Sequence, residues 1–205
     1  MTRTLLLTSL VAAGLIAVGG ATSAAENAHT SAGIFTPIVD TLPPGGFFGY
    51  WGFDLYVDQA AAARFTVPAD GNYRLARVGI WLMNNSETEQ RRVRLMLQTD
   101  ALDEGGSETL PSGVTLEQWD TRVKTFGWAP VEQFFLTKNA PLLKAGRNYW
   151  VVAGSMSPPF VDPVWAMASE GNMVTTTTYQ GAWQTAGSGA APTLRVDAVR
   201  VRKLD

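Results

Sequence analysis

The side chains best suited to hold a ligand cluster at positions 47–56, where six of ten residues are aromatic. Aromatic rings stack against flat ligands such as sugars, and Gly49 and Gly52 would let such a ligand approach the backbone closely. The chain also contains seven tryptophans. We therefore predict a carbohydrate-binding site of five aromatic side chains, with the alternative that they pack inside a sheet core. The five are Tyr50, Trp51, Trp128, Trp165 and Trp183.

Carboxylates form the second group with chemical potential. Positions 100–108 hold four acidic residues, and a hard cation such as Ca²⁺ takes about six to eight oxygen ligands. Asp100, Asp103 and Glu104 are the predicted ligands of a structural Ca²⁺, and no other cofactor is expected. The spacing is not that of an EF-hand, because the twelfth position counted from Asp100 is Pro111 and not Glu. The alternative is a solvated acidic loop.

Catalysis has one candidate pair, Glu117 and Asp120, which flank Trp119. Glycoside hydrolysis needs two carboxyl groups about 5–9.5 Å apart in a cleft. On a strand at 114–119, Glu117 would share a face with Trp119. Two acids this close are expected by chance in a chain with 18 of them, so we predict no catalytic residues and no enzyme. A carboxylate-dependent glycoside hydrolase remains the alternative.

Composition removes several further classes. The absence of cysteine excludes disulfides, thiolate nucleophiles and Cys-based metal centres. The single histidine, His29, lies close to the N-terminus and offers a catalytic triad only one candidate. With 16 Lys+Arg against 18 Asp+Glu and a formal net charge of -2, no nucleic-acid partner is expected.

The first 25 residues have the pattern of a secretory signal peptide. Arg3 supplies a positive start, positions 5–18 are apolar, and positions 19–25 are mostly small. We predict cleavage and a secreted or periplasmic product, with an uncleaved membrane anchor as the alternative. Positions 26–46 are predicted to form a flexible leader, and no later stretch is apolar enough to span a bilayer.

The remainder shows apolar and polar residues that alternate with period two between Gly, Pro, Asn and Ser clusters. The pattern predicts a strand–turn–strand hairpin over 73–98. Further strands are predicted at 114–119, 131–137, 147–153, 163–168, 173–179 and 193–202. Many short strands with little helix predict an all-β domain over 47–205, an antiparallel two-sheet β-sandwich of jelly-roll type.

The last predicted strand contains a change of parity. Leu194 and Val196 share even numbering, whereas Val199 and Val201 share odd numbering. Keeping both pairs in the core requires one extra residue, which predicts a β-bulge at Asp197–Ala198. The alternative is a strand that is buried on both faces.

The order of the motifs resembles that of choice-of-anchor domains, which occur in exported, PEP-CTERM-associated bacterial proteins. The matching segments are 59–68, 73–82, 93–100, 110–113 and 142–152, and the most specific is Leu-Lys-Ala-Gly-Arg-Asn-Tyr-Trp at 143–150. The resemblance implies a jelly-roll-type sandwich on an exported protein, and it brings no established catalytic residues.

Together these features predict an exported, non-catalytic binding or surface-associated module. Its expected partner is a polysaccharide or a cell-surface glycan. A self-associating extracellular matrix subunit is the alternative, because an apolar edge strand near the N-terminus could add to a neighbour's sheet.

Overall fold

Every regular element of the described chain is a β-strand. The computed structural model describes residues 35–41, 52–84, 91–101, 109–123, 127–156 and 163–202. All strand pairs within these ranges are antiparallel. The strands are β1 (Thr36–Asp40), β2 (Gly52–Asp54), β3 (Ala60–Thr66), β4 (Tyr73–Asn84), β5 (Arg91–Ala101), β6 (Leu110–Val123), β7 (Gly127–Leu136), β8 (Leu142–Leu143), β9 (Asn148–Ser155), β10 (Pro163–Tyr179), β11 (Ala182–Trp183), β12 (Gly187–Pro192) and β13 (Leu194–Arg200).

The strand order is β1-β13-β4-β10-β3-β9-β5-β6, with β2, β7, β8, β11 and β12 attached to β4 or β10. Strand β10 belongs to two groups of paired strands, which we call ladders. The first ladder also contains β1, β2, β4, β7, β8 and β13, and the second also contains β3, β5, β6, β9 and β12. Its start pairs with β4, in the first ladder, and Thr175–Thr177 pair with β3, in the second. The register of β10 against β12 shifts between Met167 and Asn172, and Gly171 within this stretch has φ 105°. A residue with a Cβ would be strained there.

One buried apolar cluster receives side chains from both ladders. Val78, Ile80 and Leu82 enter it from β4, whereas Val93, Leu95 and Leu97 enter it from β5. The alternation predicted from the sequence is therefore confirmed in both strands. Burial of such side chains stabilises a fold by about 1.5–3 kcal/mol each, before the entropy of ordering is subtracted.

The predicted hairpin over 73–98 is wrong, although both of its strands exist. Strand β4 pairs with β13, β7, β8 and β10, whereas β5 pairs with β6 and β9. No pairing joins β4 to β5 within the described ranges. Period-two alternation indicates that one face of a strand is buried, but it does not identify the strand's partner. Here β4 and β5 line the same core from different ladders.

The register change at Asp197–Ala198 is confirmed, but the extra residue lies in a different strand. Asp197 pairs with Arg77 and Ala198 pairs with Leu75, so β4 contributes the unpaired residue, Ala76. Strand β1 shifts beside the same stretch, since Pro37 pairs with Asp197 and Val39 pairs with Val196. Two neighbours of β13 are therefore irregular while β13 itself keeps its alternation.

This arrangement corrects the expected placement of the last apolar pair. Leu194, Val196 and Ala198 are buried in the core, whereas Val199 is only partly buried and Val201 is 39% exposed. The parity change that buries both halves of a strand occurs in β4, where Tyr73 and Leu75 precede the bulge and Val78 follows it.

Strand β1 lies within the predicted flexible leader. It pairs with β13, and its Ile38 and Val39 pack against the core, so the leader prediction fails for Thr36–Asp40. The predicted signal peptide lies outside the described residues. Among those residues, no helix has the length and apolar character to cross a membrane.

Candidate functional site

Trp165, one of the five aromatic residues of the predicted site, lies in the core. This side chain has 0% exposure, and its Nε1 donates a hydrogen bond to the carbonyl oxygen of Thr193 at 2.8 Å. A buried indole with a satisfied N–H is a structural group, so the prediction that Trp165 contacts a ligand is wrong.

The other four predicted aromatics do not form a described surface together. Tyr50 and Trp51 lie outside the described residues, and Trp128 lies in β7 with its side chain outside them. Trp183 is half-buried in β11, where it packs against a small cluster of Ala62, Trp150 and Val152. Covering this cluster accounts for the position of Trp183.

The predicted Ca²⁺ site has one described member, Asp100, because Asp103 and Glu104 lie outside the described residues. The Asp100 Oδ1 accepts a hydrogen bond from Trp150 Nε1 at 2.6 Å, and its Oδ2 accepts one from Asn148 Nδ2 at 3.3 Å. The described side chains include no group of three or more metal-binding residues. Asp100 thus satisfies the N–H of a buried indole.

The predicted carboxylate pair is separated by the pleat of β6. Glu117 shares the buried face with Trp119, as expected, whereas Asp120 lies on the exposed face. Glu117 Oε2 accepts hydrogen bonds from Thr137 Oγ1 at 2.8 Å and from the Asn139 backbone N–H at 3.0 Å. Glu117 therefore anchors the turn after β7, and the two carboxyl groups share no cleft.

Asp120 is paired with Arg94 of the neighbouring strand. The guanidinium donates from Nε to Oδ1 at 2.9 Å and from Nη2 to Oδ2 at 3.1 Å. This two-pronged hydrogen bond from Arg94 holds the pKa of Asp120 below its usual value, against a smaller opposing effect of desolvation. Such a carboxyl group is ionised at neutral pH and is a poor general acid.

A different set of side chains converges on the exposed face of the first ladder. Opposed residues of antiparallel strands project to the same side of the sheet. One row across β1, β13, β4 and β7 is Asp40, Arg195, Gly79 and Phe134. In the adjoining rows Asp197 pairs with Arg77, and Trp81 pairs with Glu132. We call this surface the Phe134 face, and its side chains are Asp40, Arg77, Trp81, Glu132, Phe134, Arg195 and Asp197.

Gly79 determines how Phe134 lies on this face. A Cβ placed on Gly79 would stand 2.7 Å from Phe134 Cε1 and 3.5 Å from the Cβ of Arg195. The aromatic ring therefore occupies the space that any larger residue would fill. Phe134 remains 42% exposed, which leaves a large part of its side chain open to solvent.

Arg77 lies over the ring of Phe134. Its Cζ is 4.2 Å from the ring centroid, a cation–π contact, and it is 5.9 Å from the centroid of Phe35, which is itself 51% exposed. The Nε of Arg77 donates a hydrogen bond to Asp197 Oδ2 at 2.5 Å. One guanidinium thus connects an exposed aromatic ring to a buried carboxylate.

Asp197 links two arginines. Its side chain has 0% exposure, and its Oδ1 accepts a hydrogen bond from Arg195 Nε at 3.0 Å. Arg195 Nη1 also lies 3.1 Å from Asp40 Oδ2. The hydrogen bond to Asp197 raises the pKa of Arg195, and the charges of Asp40 and Glu132 act in the same direction. The result is a continuous chain of alternating charges from β4 to β1.

The irregular strands meet at this chain of charges. The register slips of β1 and β4 both lie beside Asp197, and bulges re-aim side chains next to functional sites. Beside them, the Nε1 of Trp81 is buried and has no hydrogen-bond partner within the described residues. The face therefore combines an exposed ring, planar charged groups and an unused donor.

Sequence reasoning missed this site because it relied on tryptophans, and most tryptophans whose side chains the structure describes are buried. Two signals were available. An isolated glycine within a strand, such as Gly79, indicates close approach by another group. A carboxylate within an apolar strand, such as Asp197, requires charged partners.

No known family profile matches the chain, and no curated protein matches it. Among solved structures, the chain is similar to a carbohydrate-binding module, TmCBM61, in complex with beta-1,4-galactotriose. The identity is 12%, the TM-score is 0.25, and the match covers 71% of this chain and 65% of the other.

Proposed function

We propose that this protein is a non-catalytic carbohydrate-binding module and that the Phe134 face is its binding surface. The observation that carries the proposal is the exposed ring of Phe134 beside Arg77, Asp197 and Arg195. A sugar has an apolar C–H face and a rim of hydroxyl groups. An aromatic ring suits the first, and planar guanidinium and carboxylate groups suit the second.

The shape of the face favours an extended ligand. Its residues lie on four neighbouring strands in an open sheet surface, so a polysaccharide could cross it without entering a pocket. A wide groove of about 1080 Å³ lies elsewhere, around Asp70, Asn72 and Arg200, and none of the described residues in its walls is aromatic. Apolar contact with a sugar is therefore better served by the exposed part of the Phe134 side chain.

Export and the finer fold belong to the same proposal. The pattern at positions 1–25 supports a secreted or periplasmic location. The large buried cluster that both ladders line supports a two-sheet jelly-roll arrangement, as expected for the choice-of-anchor resemblance. The lack of a paired carboxylate cleft at Glu117 and Asp120 supports a binding role over hydrolysis.

Self-association is the second candidate function. Leu136 follows Phe134 on β7 with 67% exposure, and β7 pairs with β4 alone among the described strands. An exposed apolar side chain at a sheet edge can contact a second copy. Sedimentation velocity across a wide concentration range checks this, and a monomer throughout would rule it out.

The carbohydrate proposal is tested by native affinity gel electrophoresis in a panel of soluble polysaccharides. We expect at least one polysaccharide to retard the protein, and Phe134→Ala to weaken that retardation about tenfold or more. Tyr179→Ala is the matched control, because Tyr179 is an exposed aromatic (63%) at the far end of β10. Equal effects of the two variants, or no retardation by any polysaccharide, would refute the proposal.

A further inference from the structure

The charged groups of the Phe134 face neutralise one another. Two arginines, Arg77 and Arg195, share the face with three acids, Asp40, Glu132 and Asp197, which gives these five residues a formal charge of -1 (2 minus 3). Both guanidinium groups form ion pairs with Asp197, and Arg195 forms an ion pair with Asp40 as well. The arginines are therefore already occupied by acids of the protein itself.

We infer that this face selects uncharged polysaccharides and excludes acidic ones. The inference rests on the proposed function and adds the ligand's charge class to it. The inference concerns which sugar groups can bind to Arg77 and Arg195: neutral hydroxyl groups, or carboxylate and sulfate groups.

An acidic sugar would have to compete with Asp197 for Arg77 and Arg195. Asp197 lies on β13, which is flanked by β1 and β4, and its side chain has 0% exposure, so its carboxylate cannot rotate out to water when a ligand arrives. Displacing it would leave a buried charge without a partner, which is strongly unfavourable. Adding a third acid beside Asp197 and Asp40 without displacement brings like charges together at short range.

A neutral sugar meets neither obstacle. A guanidinium carries five N–H donors, and the hydrogen bond that Arg77 gives to Asp197 uses Nε. Each carboxylate oxygen can accept more than one hydrogen bond. Hydroxyl groups can therefore donate to the acids and accept from the arginines while every ion pair stays in place.

The test compares each soluble neutral polysaccharide of the panel with its own C6-oxidised form, in which primary hydroxyl groups have become carboxylates. The full chain is examined by affinity electrophoresis in about 0.02 M and about 0.5 M NaCl, since salt screens exposed charges. We expect binding to a neutral form and at least tenfold weaker binding to its oxidised form. Binding to the neutral form should change little between the two salt concentrations.

Equal or tighter binding to the oxidised form would overturn the inference and leave the carbohydrate proposal standing. If neither form of any polysaccharide binds, the inference and the carbohydrate proposal both fail.

A charge variant adds a second measurement. Asp40→Asn removes one acid from Arg195, so it should narrow the gap in affinity between the neutral polysaccharide and its oxidised form. Asp58→Asn makes the same change of net charge at an exposed position between β2 and β3, and should leave the gap unchanged. A gap that is the same in both variants would contradict the inference.

Discussion

The ring of Phe134 lies so close to Gly79 that a Cβ on residue 79 would stand 2.7 Å from the ring. Gly79→Ala should therefore push the ring away from its position under Arg77. We expect a stability loss of about 1 kcal/mol, the low end for overpacking, because only a flexible side chain has to move. Polysaccharide binding should weaken as much as it does in Phe134→Ala.

Gly154→Ala provides the control for that variant. Among the described residues, a Cβ on Gly154, in β9 of the second ladder, would meet only the Cβ of Ala60 at 3.6 Å, an ordinary contact. Chemical denaturation and affinity electrophoresis of both variants check the prediction. If Gly79→Ala binds like the unmodified protein, the position of Phe134 does not matter for binding.

Asp197→Asn should destabilise the fold and weaken binding. An amide in place of the carboxylate loses the charge that holds Arg77 and Arg195, and one of its oxygen positions becomes a donor that faces a guanidinium. Loss of a buried hydrogen-bonded group costs about 1–3 kcal/mol. Urea unfolding measures the change.

Asp120→Asn is the matched control for Asp197→Asn, since Asp120 also pairs with an arginine but its side chain is 34% exposed. Exposed ion pairs contribute little to stability, so the urea midpoint of Asp120→Asn should shift much less than that of Asp197→Asn. A similar shift in the two variants would mean that the burial of Asp197 has no special importance.

The sequence predicted where the strands lie better than it predicted which strands pair with each other. Alternation in β4 and β5 correctly indicated which residues are buried, but it could not say that the two strands line the core from different ladders. The parity change in 194–201 correctly placed a register slip beside Asp197, and the slip could be absorbed equally well by β4. Pairing depends on contacts distant in sequence, and periodicity within one strand does not report these.

The proposed binding surface was harder to predict than the fold. Large aromatics such as Trp165 and Trp150 are favoured in cores, and both have 0% exposure. The position of Phe134 depends on Gly79 and Arg77, which lie on another strand about 55 residues earlier. That juxtaposition exists only once β4 and β7 are paired.

Glu117→Gln should separate a structural role from a catalytic one. The carboxylate accepts hydrogen bonds from Thr137 and from the Lys138 and Asn139 backbone N–H groups, and a glutamine can replace only part of this set. We expect a loss of about 1–3 kcal/mol in the free energy of unfolding and unchanged polysaccharide binding in the folded fraction. Hydrolysis of a bound polysaccharide by the unmodified protein, abolished in this variant, would contradict the structural role.

Asp120 should titrate at an unusually low pH for an aspartate. The hydrogen bonds from Arg94 lower its folded-state pKa, so its contribution to stability is present above the unfolded pKa of about 3.9 and disappears as the pH falls through the lower folded value. Carboxyl carbon NMR of the folded protein measures this directly. Arg94→Gln should move the pKa of Asp120 upward, because the largest of the lowering contributions is then gone. A pKa of Asp120 that is the same in the unmodified protein and in Arg94→Gln would show that the pair does not persist in solution.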